Sequence, residues 1–134
     1  MKTYLIAYVA TGLAFLVLDA IWLSRMGPLV YKPIMGDAAL EGFRIAPAAV
    51  FYFLYLIGVM IFAISPALSG GRWTTALLFG ALFGFFAYAT YDLSNQATLK
   101  NWSTTLSLID ISWGTFVTGV SATIGYFAAS WFSR

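Results

Sequence analysis

Three aspartates stand within or at the edge of long apolar stretches of this chain: Asp19, Asp92 and Asp110. An ionisable residue at the centre of a membrane span costs about 2.5–3.5 kcal/mol and is a functional candidate by default. Asp19-Ala-Ile-Trp22 and Asp110-Ile-Ser-Trp113 each set an aromatic ring one helical turn after the acid, and Tyr91 and Asn95 flank Asp92. Close carboxylates can share a proton and do acid–base work on a lipid head group. They can also hold a cationic head group beside aromatic faces. A hard cation would use the same oxygens, but Asp92-Leu-Ser-Asn95 is not a paired-carboxylate metal motif, and neither a metal nor another cofactor is expected. A purely structural role competes with all of these: a carboxylate near a membrane rim can pair with Arg25 or Arg44, or cap a backbone, and pin helices together. The candidate ligand-binding residues are Asp19, Trp22, Tyr91, Asp92, Asn95, Asp110 and Trp113.

The remaining chemistry is narrow. The chain has no Cys and no His, which removes disulfides, thiolate nucleophiles, ordinary zinc sites and the Ser-His-Asp triad. A net charge of +2 does not suggest a nucleic-acid partner. Of 134 residues, 61% are hydrophobic and only 9% charged, with a mean hydropathy of +0.86. Soluble domains are roughly a quarter charged, so the composition points to an integral membrane protein.

The acids are positioned by the spans that carry them. A bilayer core of about 30 Å needs about 20 helical residues, and four segments qualify: 4–23, 45–64, 73–91 and 106–131. The runs are continuous rather than alternating, which selects helices over a barrel. The expected fold is therefore an all-α, four-helix membrane bundle forming one domain over residues 1–134, with an interfacial segment over 24–44. Pro28 is positioned to start a short helix there, and an ordinary ordered loop is the other reading. A signal peptide fits poorly, because Leu18 occupies the position that should be small before a cut after Ala20. Pro47 lies in the first turn of the second span, Ser65-Pro66 is expected to end it, and Gly70-Gly71 turns the chain into the third. Tyr4, Trp73 and Trp131 mark one membrane rim, and Trp22, Tyr91 and Trp102 the other. The long connections carry Arg25, Lys32, Arg44 and Lys100 against Lys2, Arg72 and Arg134 on the terminal side. This count leans towards cytoplasmic long loops.

On these boundaries Asp19 and Asp110 sit at one depth, about 6 Å below the long-loop rim, and Asp92 follows the third span on the same side. In the fourth span, Ser107, Asp110, Gly114, Thr118, Ser121 and Gly125 form a stripe of small and polar residues suited to close helix contact. In the third, Ala76, Gly80, Gly84, Tyr88 and Asp92 do the same. Gly80 and Gly84 make a GxxxG motif, read either as packing within the monomer or as a homodimer face. Tyr8, Gly12 and Asp19 suggest a comparable stripe on the first. The two acid–aromatic echoes could mark an inverted repeat, but with five tryptophans in the chain chance is the simpler account.

The runs Leu18-Asp19-Ala20-Ile21-Trp22-Leu23, Ala89 to Trp102, and Asp110-Ile111-Ser112-Trp113-Gly114 resemble a bacterial family of small predicted membrane proteins, the domain-of-unknown-function family DUF2177. The resemblance runs over nearly the whole chain, and its matching positions also include Thr98 and Trp102. It implies four helices in the bacterial cytoplasmic membrane and no particular activity. The leading expectation is a protein that binds or modifies a lipid or amphiphile at the aspartate-lined rim, with membrane lipid as partner. An accessory subunit of a larger membrane complex and a small dimeric transporter are the alternatives.

Overall fold

A computed structural model of the chain describes residues 2–31 and 45–132. Four long helices fill it. The first, α1, covers Lys2–Met26 and is prolonged by one π-helical turn over Gly27–Tyr31. Pro28 thus lies within a continuation of α1 rather than at the start of a new helix. The rest of the expected interfacial segment, from Lys32 to Arg44, lies outside the described residues.

The second helix, α2, runs over Ile45–Gly70. Ser65-Pro66 does not end it, contrary to the sequence expectation. Proline removes one helical N–H and crowds the carbonyl four residues earlier. The chain accommodates this by widening into a π-helical turn over Met60–Ile64, where the Ser65 N–H reaches back to the Met60 carbonyl, and then resumes α-helix over Ser65–Gly70. The helix stops at Gly71, whose φ of 68° only glycine adopts without cost. The Gly71 and Arg72 N–H groups both return to the Ala67 carbonyl, the latter at 3.2 Å.

The third helix, α3, spans Trp73–Thr98 and the fourth, α4, spans Thr104–Phe132. Asp92 therefore lies inside a helix, not in a connection, and the link between the two helices is short. Polar pairs across the link hold the extra turns. Gln96 donates from Nε2 to Thr104 Oγ1 at 2.9 Å, and Ser107 Oγ donates to Gln96 Oε1 at 2.7 Å. Ser103 caps α4, its Oγ accepting the Leu106 N–H at 3.1 Å.

Of the four expected spans, α1, α2 and α3 are long and apolar enough to cross a membrane. The fourth has the length, 29 residues, but a lower hydropathy because it is the internal helix of the bundle. Its buried side includes Ser107, Asp110, Gly114, Thr118, Ser121 and Gly125, the stripe expected from the sequence. It packs chiefly against α3 and α1. From α3 the buried face is Ala76, Gly80, Gly84 and Asp92. From α1 it is Ala7, Thr11, Phe15 and Asp19, so Tyr8 and Gly12 flank the stripe rather than compose it. The outward faces are apolar: Leu13, Phe53, Phe86 and Leu108 are each about 60% exposed, an arrangement that suits lipid and not water. The molecule is an all-α integral membrane bundle.

Gly80 and Gly84 are used within the monomer. A Cβ on Gly80 would lie 2.8 Å from the Ala122 Cβ, and one on Gly84 would strike the Gly114 carbonyl and the Thr118 side chain. Their face is taken by α4, so a homodimer would have to use a different surface.

Candidate functional site

The three acids share a depth because of where they fall in their helices. Asp19 is seven residues before the end of α1 at Met26, Asp92 six before the end of α3 at Thr98, and Asp110 six after the start of α4 at Thr104. At 1.5 Å per residue each lies about 9–11 Å in from the end of its α-helical stretch. This is deeper than the sequence boundaries implied, since the helices extend past the apolar runs. Asp92 is level with the other two rather than beyond them.

All three are buried, Asp92 completely, and each does something different. Asp19 is held from two sides. The Tyr52 hydroxyl of α2 donates to one carboxyl oxygen, and the Trp113 indole N–H of α4 donates to the other at 3.0 Å. The donors are thus a tyrosine and a tryptophan rather than Arg25, and the acid joins three helices. Trp113 is fixed in turn by stacking on Trp22, with ring centroids 4.4 Å apart and planes 4° from parallel. The two acid–aromatic echoes of the sequence therefore meet crosswise: the acid of the first binds the tryptophan of the second, and the two tryptophans stack.

Asp110 lies in the wall of a cleft of about 510 Å³. Asp19, Trp22, Tyr55, Tyr88 and Tyr91 share that wall, and Leu23, Pro47, Ala48, Phe51 and Ala87 complete it. The wall combines two acids and three phenols with apolar side chains, and Phe51 stacks on Tyr55 at 5.2 Å. Asp92 sits behind Asp110, with its carboxyl against that of Asp110, and neither Asp92 oxygen meets a hydrogen-bond donor. Among the described residues no group of three acids could hold a metal ion, so the carboxylates share a level without converging on one point.

Of the seven candidates, Asp19, Trp22, Tyr91 and Asp110 line the cleft. Trp113 and Asp92 support it from behind. Asn95 lies one turn beyond Tyr91, half-buried and outside the cleft wall. Trp113, Trp22 and Phe116 also border a second, outward groove of about 560 Å³ between α1 and α4. Trp102, expected at a rim, is 6% exposed and meets Tyr91 edge-on at 5.5 Å. Sequence reasoning missed Tyr52 and Tyr55. Tyr55 lines the cleft and shares a 2.7 Å hydrogen bond with Thr118. Their only cue was that they are hydroxyls in the otherwise charge-free first half of the second span. Tyr88 covers Gly114 so closely that any Cβ there would run into its ring, which presses it into the cleft wall.

An all-helical bundle with an acid-lined cleft at one end defines a small membrane protein rather than a soluble enzyme. The chain belongs to the family described as predicted membrane protein (DUF2177), whose model matches residues 4–127. No curated protein and no solved structure matches it.

Proposed function

We propose that the cleft binds the head group and proximal chain of a lipid or other amphiphile in a bacterial cytoplasmic membrane. The observation that carries this reading is the cleft's mixed wall, in which Asp19, Asp110 and three tyrosines are combined with Phe51, Pro47, Ala48 and Leu23. Ligand sites commonly have about 300–1,000 Å³ of space lined by apolar and aromatic groups with a few convergent polar ones. At about 510 Å³ the cleft accommodates a head group and the start of a chain, and the rest of the chain would lie along the apolar exterior. On this reading the acids have separate duties. Asp19 is occupied by Tyr52 and Trp113 and sets the wall, while Asp110 addresses the ligand.

Native mass spectrometry of protein extracted with its lipid tests this. The wild type is expected to retain an amphiphile-sized adduct. Asp110→Asn is expected to lose at least about tenfold of it, equivalent to about 1.4 kcal/mol of binding. The variant should still fold, since the asparagine amide can donate to Asp92. A wild type that carries no adduct in any lipid mixture, or a variant that keeps the full adduct, would refute the reading.

A further inference from the structure

The Asp92 carboxyl has no accessible surface, no donor for either oxygen, and the Asp110 carboxyl against it. Ionised carboxylates only accept hydrogen bonds, so two carboxyls can bond to each other only when one of them carries a proton. Two anions in contact at this depth would repel each other, and Asp92 has no donor to offset that repulsion. The titratable groups that share the cleft wall with Asp110 are Asp19 from α1, Tyr55 from α2, and Tyr88 and Tyr91 from α3, with Tyr52 of α2 behind them on Asp19. None of these is cationic, and no Lys or Arg lines the cleft among the described residues. Trp22 and Tyr88 add aromatic rings to the wall beside Asp110, and such rings attract cations.

We infer that the cleft selects a cationic head group and that this cation exchanges with a proton shared by Asp92 and Asp110. The inference rests on the reading of the cleft as an amphiphile site and names the ligand's charge and its coupling. One positive charge enters the cleft and one proton leaves through its mouth to water. The pair goes from one negative charge to two as the proton leaves, and the cation supplies the compensating positive charge, so the net charge inside the bundle is unchanged by the exchange. Asp92, which is behind the wall, acts as a positioning residue: it keeps a proton on the pair until a cation replaces it.

The full chain in a neutral maltoside detergent can be titrated calorimetrically with dodecyltrimethylammonium and with its uncharged counterpart, dodecanol. The titrations run from about pH 5 to about pH 9, in buffers of differing ionisation enthalpy, so that released protons are counted. The cation is expected to bind at least about tenfold more tightly than dodecanol. About one proton should leave per cation, and the apparent Kd should rise up to about tenfold per unit fall in pH where the pair holds its proton. In Asp92→Asn, whose amide can donate to Asp110, cation binding should persist while proton release and the pH dependence vanish. Equal binding of both probes, cation binding without proton release, or undiminished release from Asp92→Asn overturns the inference and leaves the amphiphile reading standing. Binding of neither probe overturns both. If Asp92→Asn does not fold, the wild-type proton count decides alone.

Discussion

Asp19→Ala is expected to destabilise the bundle by about 2–4 kcal/mol. The substitution removes the acceptor for the Tyr52 hydroxyl and for the Trp113 indole N–H together. Each donor is left partly buried among helices that offer no replacement, and an unsatisfied buried group costs about 1–3 kcal/mol. Hydrogen bonds between membrane helices average less, about 0.6 kcal/mol, and for that reason the expected total is held below the sum of two full penalties. Releasing Trp113 also frees its stack on Trp22, so the damage should spread to the cleft wall. Tyr52→Phe and Trp113→Phe should each cost about 1 kcal/mol. In a double-mutant cycle Tyr52→Phe should be nearly without further effect once Asp19 is gone, and Trp113→Phe should keep only the cost of its altered stack on Trp22. Unfolding in graded denaturing detergent gives these values. If Asp19→Ala melts like the wild type, the acid is not the tie between α1, α2 and α4.

Gly84→Val is expected to cost about 3 kcal/mol or more, at the upper end of overpacking. At Gly84 the two long helices touch through their backbones. An added Cβ would collide with the Gly114 carbonyl and with Thr118, neither of which is the loose end of a flexible chain. The helices must separate, and membrane helices depend on such close contact because lipid supplies no hydrophobic drive between them. The effect should reach the site, because Tyr88 lies one turn beyond Gly84 and packs over Gly114. Moving α3 outward therefore withdraws a wall of the cleft. Size-exclusion profiles of heated samples should show loss of folded protein many degrees below the wild type. Gly27→Ala is the control, since nothing lies within 4 Å of a Cβ there, and it should stay within about 0.5 kcal/mol of the wild type.

Much of the fold could be read from residue spacing. The small-residue stripes of α3 and α4 recur at helical steps, and they are the faces that meet. Helix ends were harder. Asp92, Ser94, Asn95 and Gln96 look like a loop when only apolarity is counted, yet the first turn of α4 shelters and hydrogen-bonds this stretch, so α3 continues through it. Ser65-Pro66 looks like a stop, but a π-helical turn upstream absorbs the proline. Both outcomes depend on tertiary partners or on backbone register that hydropathy does not encode. For the site, the three acids were legible because charge is rare here and conspicuous. Their division of labour was not, because it depends on Tyr52 and Tyr55 in a span with no polar stripe, and on Trp113 turning from the bulky face of α4 towards Asp19.

Photolabelling in membranes tests the central claim most directly. A long-chain amphiphile carrying a photoreactive group next to its head is incorporated into vesicles with the wild-type protein, and the labelled residues are mapped. Label concentrated on Phe51, Tyr55, Tyr88 and Tyr91, and abolished in Asp110→Asn, is the predicted result. Label spread evenly over outward residues such as Leu13, Phe53 and Phe86, and unchanged in the variant, would contradict the account.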